Sequence, residues 1–428
     1  MSKVKLPNRV RLDACTLCQL QCPSCYMRLN DYCGRGKGYL KIKDFKGFVD
    51  AHDYIKEIEL SNDGEIFLNP ELIEIIKYAY ERDVILTANT GVNFNTVSDE
   101  IMEGMVKYGF RSLSVAADGV RQEIYSFYRR GGNINAVFSN IKRLVEYKKK
   151  HNSQYPRIRW QFVLMNHNQN DVQKAKEVAQ ELNIQLSFKL GWDDDFEAKD
   201  PILVKELTGL EYLSRRDYER GTGHKYLSEM CNTIWTKPTI NFDGTLVGCE
   251  CEPKKDYKVN VFEIGLEEAM NCKEYVYSQK MLLGEEPVDY DNPCAACPQG
   301  HYKWRAEHGD FVKIEELSPT CFTIDEKIFK MIEKDARVAI FGAHDMALDL
   351  KYEFDKQRHD IEVVCFLDRF RPGKLDGLPV YSPFSIDRYN SVDVIVLSSG
   401  THQSAMRDTL VSLGIGNDRI IDATILQS

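Results

Sequence analysis

Polar and apolar residues alternate with two different periods between residues 54 and 190. Segments with the two-residue period of a strand regularly follow segments with the 3.6-residue period of a helix. The predicted strands are YIKEIELSND (54–63), DVILTANT (83–90), RSLSVAAD (111–118), RIRWQFVLMN (157–166) and IQLSFKL (184–190). The predicted helices are PELIEIIKYAYERD (70–83), SDEIMEGMVKYG (98–109), NINAVFSNIKRLVEYKKK (133–150) and NDVQKAKEVAQELN (170–183). This alternation predicts an α/β fold with a parallel sheet whose functional loops follow the strand C-termini, as in a full or partial TIM barrel.

Three later segments have different patterns. TINFDGTLVGCEC (239–251) predicts a β-hairpin that turns at Asp243-Gly244. ARVAIFGAHDMALDLKYEFDKQRHDIEVVCFLDR (336–369) reads as strand, turn, helix and strand, and SVDVIVLSSGTHQSAMRDTLVSLGI (391–415) repeats this scheme. The latter two predict a Rossmann-like unit. We therefore expect three domains, at residues 1–215, 216–325 and 326–428.

The first turn of this Rossmann-like unit differs from the dinucleotide fingerprint. His344 stands where the fingerprint requires glycine, whereas Asp368 follows the second strand, where an acid that binds ribose is expected. The segment resembles small domains associated with nucleotide sugars in polysaccharide and sugar-modifying enzymes. Both nucleotide binding and a structural or dimerising role remain open for it.

Composition narrows the class of protein. The 428 residues include 56 Lys and Arg against 65 Asp and Glu, for a net charge of −9. An acidic balance argues against nucleic acid as the main partner, because phosphate backbones are bound through clustered cations. The sequence has neither a signal-peptide pattern nor an apolar run of membrane length, so we expect a cytoplasmic protein without a membrane partner.

Four cysteines, Cys15, Cys18, Cys22 and Cys25, lie within the run ACTLCQLQCPSCYM. In a reducing compartment, this spacing favours metal ligation over disulfides. Structural zinc sites usually pair two Cys-x2-Cys units across a longer gap, whereas the last three cysteines form Cys-x3-Cys-x2-Cys. Three thiolates leave one iron of a cubane cluster open.

This spacing resembles the cluster loop of the radical S-adenosylmethionine (SAM) superfamily, which follows the first strand of a partial (β/α)6 barrel. The resemblance implies that Cys18, Cys22 and Cys25 hold a [4Fe-4S] cluster, with Cys15 outside the pattern. In that family the open iron chelates SAM, and its electron cleaves SAM to a 5'-deoxyadenosyl radical, which abstracts hydrogen from a substrate. The protein holds and aims the cofactor.

Other motifs follow in the order that the family shows. Gly64-Glu65 occupies the position of the family's Gly-Gly-Glu motif, with Asp63 in place of the first glycine, and Glu65 is expected to accept from the SAM ammonium. One arginine of the Arg129/Arg130 pair is expected to hold the SAM carboxylate. The remaining residues implied to contact SAM, or to lie at the same strand ends, are Tyr26, Thr87, Asn89, Gly91, Ser114, Tyr125, Gln161 and Asn168.

A second cysteine group follows the barrel segment and comprises Cys231, Cys249, Cys294 and Cys297. Their arrangement resembles the "twitch" domain of the same superfamily, a shortened relative of the SPASM domain. The resemblance implies one auxiliary [4Fe-4S] cluster with four protein ligands. A zinc ribbon at the same positions remains open, because four thiolates also satisfy zinc.

Several reactions are compatible with these features. Our main hypothesis is two-electron oxidation of a sugar or nucleotide-linked sugar, in which the auxiliary cluster accepts an electron and Trp192 contributes to a carbohydrate platform. Epimerisation, with Cys251 or else Cys321 or Cys33 as hydrogen donor, is an alternative. A peptide-modifying radical SAM/SPASM enzyme is a third alternative, although few residues precede the cysteine loop and we therefore do not expect a precursor-recognition domain. A non-catalytic metal-binding scaffold is a further alternative. The enzyme would take electrons from a flavodoxin or ferredoxin and would act on a small polar substrate, and a dimer is compatible with the sequence.

Overall fold

The structure, a computed structural model, describes residues 6–25, 36–191, 194–249, 255–297, 299–314, 317, 322–325, 327–369, 373–399 and 403–426. The chain divides into two compact units, residues 1–319 and 320–428. Each contains its own sheet. The predicted α/β class with parallel sheets is confirmed.

In the first unit, strands and helices alternate as the hydrophobic pattern predicts. The strands are β1 (Arg9–Leu12), β2 (Glu57–Glu59), β3 (Ile85–Val92), β4 (Ser112–Ala116), β5 (Arg157–Leu164) and β6 (Gln185–Leu190). The helices are α1 (Ile42–Ala51), α2 (Leu72–Glu81), α3 (Asp99–Lys107), α4 (Gln122–Tyr128), α5 (Ile134–Lys150) and α6 (Val172–Leu182).

Local side chains set several helix boundaries. The hydroxyl of Ser98 accepts from the backbone N–H of Ile101 at the start of α3. Asn133 caps α5 in the same way. Helix α2 begins at Leu72 rather than at Pro70, because the side chain of Asn69 accepts from the backbone N–H of Glu71 and forms a turn before the helix.

The strands of the first unit form one sheet with the order β6-β5-β4-β3-β2-β1-β7-β8. Neighbouring strands from β6 to β1 are parallel, and β7 (Thr239–Ile240) is parallel to β1. Strand β8 (Leu246–Gly248) pairs antiparallel with β7, which confirms the predicted hairpin. Its turn includes Gly244 at a φ of 89°. The hairpin therefore extends the sheet beside β1, the strand that leads into the cysteine loop.

The two faces of this sheet differ sharply because successive side chains of a strand point to opposite sides. Leu12, Ile58, Leu86, Leu113 and Trp160 lie on one face and belong to the main buried core. The opposite face, here called the polar face, is traced by register partners from strand to strand. It includes Arg9, Arg11, Glu57, Glu59, Thr87, Ser112, Ser114, Arg157, Arg159, Gln161, Gln185, Ser187, Lys189 and Thr239.

Further helices follow β6 in the first unit. They are α7 (Pro201–Thr208), α8 (Arg215–Thr222), α9 (Thr233–Thr236), α10 (Val261–Ile264), α11 (Leu266–Met270), α12 (Lys273–Leu282) and α13 (His301–His308). Buried residues of this region, such as Trp235, Tyr275 and Leu282, belong to the same core as the parallel strands. The hairpin and the second cysteine group therefore share a core with the main sheet.

The second unit contains a six-stranded sheet with the order β12-β13-β11-β10-β14-β15. Only the edge strand β12 is antiparallel. The elements are β9 (Phe322–Ile324), α14 (Ile328–Met331), β10 (Arg337–Phe341), α15 (Asp345–Gln357), β11 (Glu362–Leu367), β12 (Gly373–Leu375), β13 (Leu378–Tyr381), β14 (Val394–Leu397), α16 (Gln403–Ser412), β15 (Ile420–Asp422) and β16 (Thr424–Leu426). Strands β9 and β16 form a separate antiparallel pair.

The turn after β10 brings together the residues singled out in this unit. The Asp368 carboxylate accepts from the backbone N–H of Ala343 at 3.0 Å, so this acid supports the turn that follows the first strand. Gly342 has a φ of 112°, and a Cβ there would lie 2.5 Å from the Ser398 hydroxyl oxygen. The turn is therefore closely packed against the end of β14.

Among the described residues, no helix is both long and apolar enough to cross a lipid bilayer.

Candidate functional site

The cysteine loop leaves the end of β1 and is tied to the segment before α1. The backbone N–H of Thr16 donates to the carbonyl of Gly38 at 3.0 Å, and Cys15 forms a β-bridge with Tyr39. The side chain of Asn69 donates to the carbonyls of Ala14 and Leu40 at 2.9 and 3.0 Å. Cys15 is therefore part of the buried base of the loop.

The loop rests directly on the Asp63-Gly64-Glu65 turn. The backbone N–H of Glu65 donates to the carbonyl of Leu17 at 2.8 Å. Gly64 has a φ of 69°, and a Cβ at this position would lie 2.4 Å from the carbonyl oxygen of Cys15. Glycine is required here both for the backbone conformation and for the close approach of the loop.

The Glu65 carboxylate lies under the loop and is only 1% exposed. It accepts from the backbone N–H of Asn93 at 2.6 Å and from that of Phe67 at 3.4 Å. Burial raises the pKa of Glu65 to about 7, although these hydrogen bonds and the charge of Arg129 act in the opposite direction. A carboxylate has about four acceptor positions, so Glu65 retains capacity for a further donor.

Asn93, which follows β3, is a site residue that the sequence reasoning missed. Its side-chain N–H donates to Cys18 Sγ at 3.7 Å and to Gln19 Oε1 at 3.1 Å. Gln19 in turn donates to Asn93 Oδ1 at 3.1 Å. The available signal was the polar stretch just after TANTG, where strand ends of a parallel sheet carry function.

The structure distinguishes the two candidate arginines. Arg129 Nε donates to Asp118 Oδ2 at 2.6 Å, and Arg129 Nη1 lies 4.0 Å from Cys22 Sγ. Although burial opposes the charged form, Asp118 and Cys22 hold the pKa of Arg129 well above its ordinary value. Arg130 is exposed, and its carbonyl accepts from the backbone N–H of Gln21. Arg129 is thus the arginine that faces the cysteines.

Asp118 is a fully buried anchor at the end of β4. Its Oδ1 accepts from the backbone N–H of Val163 at 2.8 Å, while its Oδ2 accepts from Arg129. Asn168 donates to the Asp118 carbonyl at 3.2 Å and accepts from the backbone N–H of Met165 at 2.8 Å. Asn168 therefore holds the β4 and β5 ends together.

Tyr125 is also buried near this region. Its hydroxyl accepts from the side chain of Asn95 at 2.8 Å, and burial raises its pKa to about 12. A Cβ on Gly132 would lie 2.7 Å from the Tyr125 ring. These contacts fix the segment that carries Arg129.

Apolar side chains surround the thiols of the loop. Cys22 packs in a small buried cluster with Leu20, Tyr128 and Met165, and Cys25 packs against its edge. The surroundings of the loop thus combine apolar walls with N–H donors to sulfur. At metal–thiolate sites, apolar walls control the access of solvent, and both features influence the reduction potential of the metal.

Several residues expected at the site lie on the polar face of the sheet, on β3, β4 and β5. Glu59 is buried and accepts from the Thr87 hydroxyl at 2.8 Å and from the backbone N–H of Asn89 at 2.9 Å. Ser114 Oγ is buried and has no hydrogen-bond partner among the described residues. Gln161 accepts from Lys189 Nζ at 2.6 Å. Thr87, Asn89, Ser114 and Gln161, all expected at the site, therefore lie near one another across neighbouring strands.

The four cysteines of the second group line one pocket. Cys231 and Cys294 are buried, and Cys249 and Cys297 are half-buried. Burial raises the pKa of Cys294 to about 12, and the neighbouring Cys231 and Cys297 act in the same direction. The remaining lining is mostly apolar and includes Met230, Ile234, Val247, Leu282, Pro293 and Tyr302.

Hydroxyl groups approach Cys294 from the wall of this pocket. Tyr257 Oη lies 3.8 Å from Cys294 Sγ and 2.9 Å from Ser278 Oγ. Asn292 Oδ1 accepts from both Ser278 Oγ and the backbone N–H of Cys294, at 2.8 and 2.9 Å. This network fixes the turn that carries Cys294 and brings polar hydrogens close to its sulfur.

Some predicted residues lie outside the described part of the chain. These are Tyr26, Cys33, Trp192, Cys251 and Cys321. Within the part that the structure describes, no three His, Cys, Asp or Glu side chains are arranged as the ligands of a single metal ion.

Comparison with models of protein families and with curated proteins gives no match. Several solved structures share part of the architecture. SuiB of Streptococcus suis bound to S-adenosylmethionine is 13% identical with a TM-score of 0.49, over 69% of this chain and 72% of SuiB. The protein anSMEcpe with bound AdoMet is 13% identical with a TM-score of 0.43, over 68% and 89% of the two chains. BtrN in complex with AdoMet and 2-DOIA is 12% identical with a TM-score of 0.38, over 68% and 92%. Identities and TM-scores at this level do not assign a function, which has to be argued from the residues of this chain.

A substitution at Gly64 tests the close packing of the loop. Gly64→Ala is expected to destabilise the protein by about 2–4 kcal/mol, because the new Cβ meets the backbone of Cys15 and the φ is positive. Urea unfolding measures the effect. Gly47→Ala in α1 is the matched control, since its Cβ meets nothing within 4 Å. Equal stability of the two variants would contradict the packing described.

A substitution at Glu65 tests the burial of its carboxylate in iron-free protein. The pKa of about 7 in the folded protein lies above the ordinary value of a glutamate carboxyl, 4.5, so the protonated carboxyl favours folding at low pH. This advantage is lost as the pH rises through 7. The stability of wild type relative to Glu65→Gln should therefore fall between about pH 5 and about pH 8. Glu123→Gln, an exposed change, should show no such trend. A pH-independent difference for Glu65→Gln would show that its pKa is ordinary.

Proposed function

We propose that this protein is a radical SAM enzyme, in which Cys18, Cys22 and Cys25 ligate a [4Fe-4S] cluster. The observation that carries the proposal is the placement of the cysteine loop against Glu65 and Arg129 at the strand C-termini. Leu20 N–H and Asn93 Nδ2 approach Cys18 Sγ at 3.4 and 3.7 Å. Hydrogen bonds of this kind support thiolate ligands of iron–sulfur clusters, so the residues present fit the group.

The charges around the loop also fit SAM, which has an ammonium, a carboxylate and a sulfonium group. Glu65 supplies a buried carboxylate for the ammonium, and Arg129, held by Asp118, supplies a guanidinium for the carboxylate. When bound, the cluster supplies the electron that cleaves the sulfonium bond and gives the 5'-deoxyadenosyl radical. The chain itself positions SAM and keeps water away through the apolar residues around Cys22.

The sheet of the first unit is assigned as a partial (β/α)6 barrel with a concave polar face. Six parallel strands in the order β6-β5-β4-β3-β2-β1, connected by helices, support this assignment. In such a barrel the polar face would line a cavity next to the cysteine loop.

The second cysteine group is assigned to one auxiliary [4Fe-4S] cluster in a twitch-type domain. All four thiols line one pocket, as a shared site requires. Tyr257 and Ser278 provide hydroxyl groups near Cys294, which suit a metal-bound thiolate. The competing assignment, a zinc ribbon, is decided by metal analysis of the anaerobically prepared protein.

Substrate oxidation fits this combination of sites better than epimerisation does. An auxiliary cluster is able to accept the electron of a substrate radical, whereas epimerisation needs a thiol that returns a hydrogen atom, for which Cys251, Cys321 and Cys33 are the candidates. A sugar or a nucleotide-linked sugar suits the hydroxyl and amide groups of the polar face, among them Thr87, Ser114 and Gln161. The electron for SAM cleavage would come from a flavodoxin or ferredoxin.

Anaerobic reconstitution with iron and sulfide tests the proposal. The wild-type protein should bind about eight iron atoms, four for each cluster, and should form 5'-deoxyadenosine from SAM after reduction. Replacing Cys18, Cys22 or Cys25 by alanine should remove about half of the iron and all of the product. Cys15→Ala should retain both. Bound zinc without SAM cleavage would contradict the proposal.

The hydroxyl of Tyr257 offers a test of the auxiliary site. Tyr257→Phe removes a hydrogen bond near Cys294 Sγ and should shift the potential of the auxiliary cluster to a more negative value, since hydrogen bonds to sulfur raise it. Tyr275→Phe is the control because its hydroxyl donates to the Ile234 carbonyl rather than to sulfur. Redox titration followed by EPR measures the potential. Equal reduction potentials in the two variants would show that the Tyr257 hydroxyl does not act on the cluster.

A further inference from the structure

A buried arginine, Arg305, lies on the helix that borders the second cysteine group. This helix is α13, and its first residues, His301 and Tyr302, line the same pocket as the four thiols. Arg305 follows His301 by four residues, so the two side chains lie on the same side of the helix. The side chain of Arg305 is only 7% exposed. A buried guanidinium therefore lies on the side of α13 that carries a pocket residue.

Hydrogen bonds of Arg305 join α13 to the segment that carries Cys231. Arg305 Nη2 donates to the carbonyl of Ser228 at 3.0 Å. Ser228 begins the short 3-10 helix Ser228–Asn232, which includes Cys231. Arg305 Nη1 donates to the carbonyl of Asp310 at 2.6 Å, and the backbone N–H of Asp310 donates to the Arg305 carbonyl at 3.1 Å. These bonds fix the guanidinium beside the segment that supplies the first thiol of the group.

Two features of this guanidinium are left unexplained by those bonds. Its Nε–H is buried and has no hydrogen-bond partner among the described residues. Its ion pair is weak, because Nη1 lies 3.4 Å from Asp310 Oδ2 and the Asp310 side chain is 50% exposed. Water and salt screen an exposed carboxylate, which then offsets a buried charge only in part. Since a buried donor without an acceptor is costly, both features favour a further negative charge next to Arg305.

The charge of Arg305 acts on the thiol of Cys231. Burial raises the pKa of Cys231 to about 11, and the charge of Arg305 is the largest effect that favours the thiolate. Cys297 and Asp310 act in the same direction as burial. His301 adds no second positive charge, because burial lowers its pKa to about 4 and its ring is neutral near pH 7. Arg305 therefore supplies positive charge on the side of the pocket where Cys231 lies.

We propose that Arg305 raises the reduction potential of the auxiliary cluster by holding a positive charge next to Cys231. This inference rests on the proposed function, in which the second cysteine group holds that cluster and the cluster accepts an electron. Reduction adds one electron to the cluster and makes its charge more negative by one. A fixed positive charge in a region with little water stabilises the reduced state more than the oxidised state. Arg305 thus makes the auxiliary cluster a better electron acceptor.

Redox titration of the full-length, reconstituted protein, followed by EPR, tests this inference. The variants are made in the Cys18→Ala background, which by the proposed function leaves the auxiliary cluster as the single source of signal. Arg305→Gln removes the charge and should disfavour reduction about tenfold, a shift of about 59 mV to more negative potential. Arg305→Lys keeps the charge and should keep most of the potential. Lys303→Gln removes a charge that is 79% exposed on the same helix and should not change it.

Asp310→Asn provides a test in the opposite direction. It removes the carboxylate that partly offsets Arg305, while the backbone carbonyl at this position still accepts from Nη1. The potential should become more positive, by less than the Arg305→Gln shift because the carboxylate is half exposed. This variant decides the question if Arg305→Gln does not assemble the cluster.

The outcomes separate this inference from the proposed function. The role of Arg305 is overturned if Arg305→Gln leaves the potential unchanged, or if Arg305→Lys lowers it equally. If Arg305→Gln binds no cluster, an unchanged potential in Asp310→Asn overturns it. Zinc instead of iron at the second cysteine group also overturns it. Formation of 5'-deoxyadenosine by protein with Cys18 intact is measured independently and decides the radical SAM assignment.

Discussion

Close backbone packing between the cysteine loop and the Asp63-Gly64-Glu65 turn is the constraint on which the candidate site depends. A side chain at Gly64 would meet the carbonyl of Cys15, so the loop approaches the end of β2 as closely as main chains allow. The Leu17 carbonyl and the Glu65 N–H then fix the register of this contact. As a result, three thiols, a buried carboxylate and a guanidinium at the β4 end are placed within one region.

The alternation of side chains along each strand gives the sheet one apolar face and one polar face. One face buries Leu12, Ile58 and Trp160 in the core under the helices. The other face holds polar groups that would be costly to bury without partners, and several of them are paired across strands, as Glu59 is with Thr87. A sheet whose faces differ in this way supports a stable core and a polar cavity at the same time.

The sequence was sufficient for the α/β class, for most helix and strand positions of the first unit and for the hairpin at Asp243-Gly244. It did not reveal which of Arg129 and Arg130 faces the cysteines. At a helix end, the side chains of two neighbouring residues point in different directions, and the local backbone geometry decides which one faces the site. Asn93 was missed for a related reason. Its role depends on a contact with Cys18, 75 residues earlier in the chain, and no local pattern encodes this contact.

The proposed function requires that SAM bind to the open iron of a cluster held by Cys18, Cys22 and Cys25. Electron–nuclear double resonance of the reduced, reconstituted protein with SAM labelled with ¹⁵N at its amino group detects this binding. A ¹⁵N coupling is expected in the wild type, and it should be lost in Cys18→Ala and retained in Cys15→Ala. A reduced cluster whose spectrum does not change when SAM is added would contradict the proposed function.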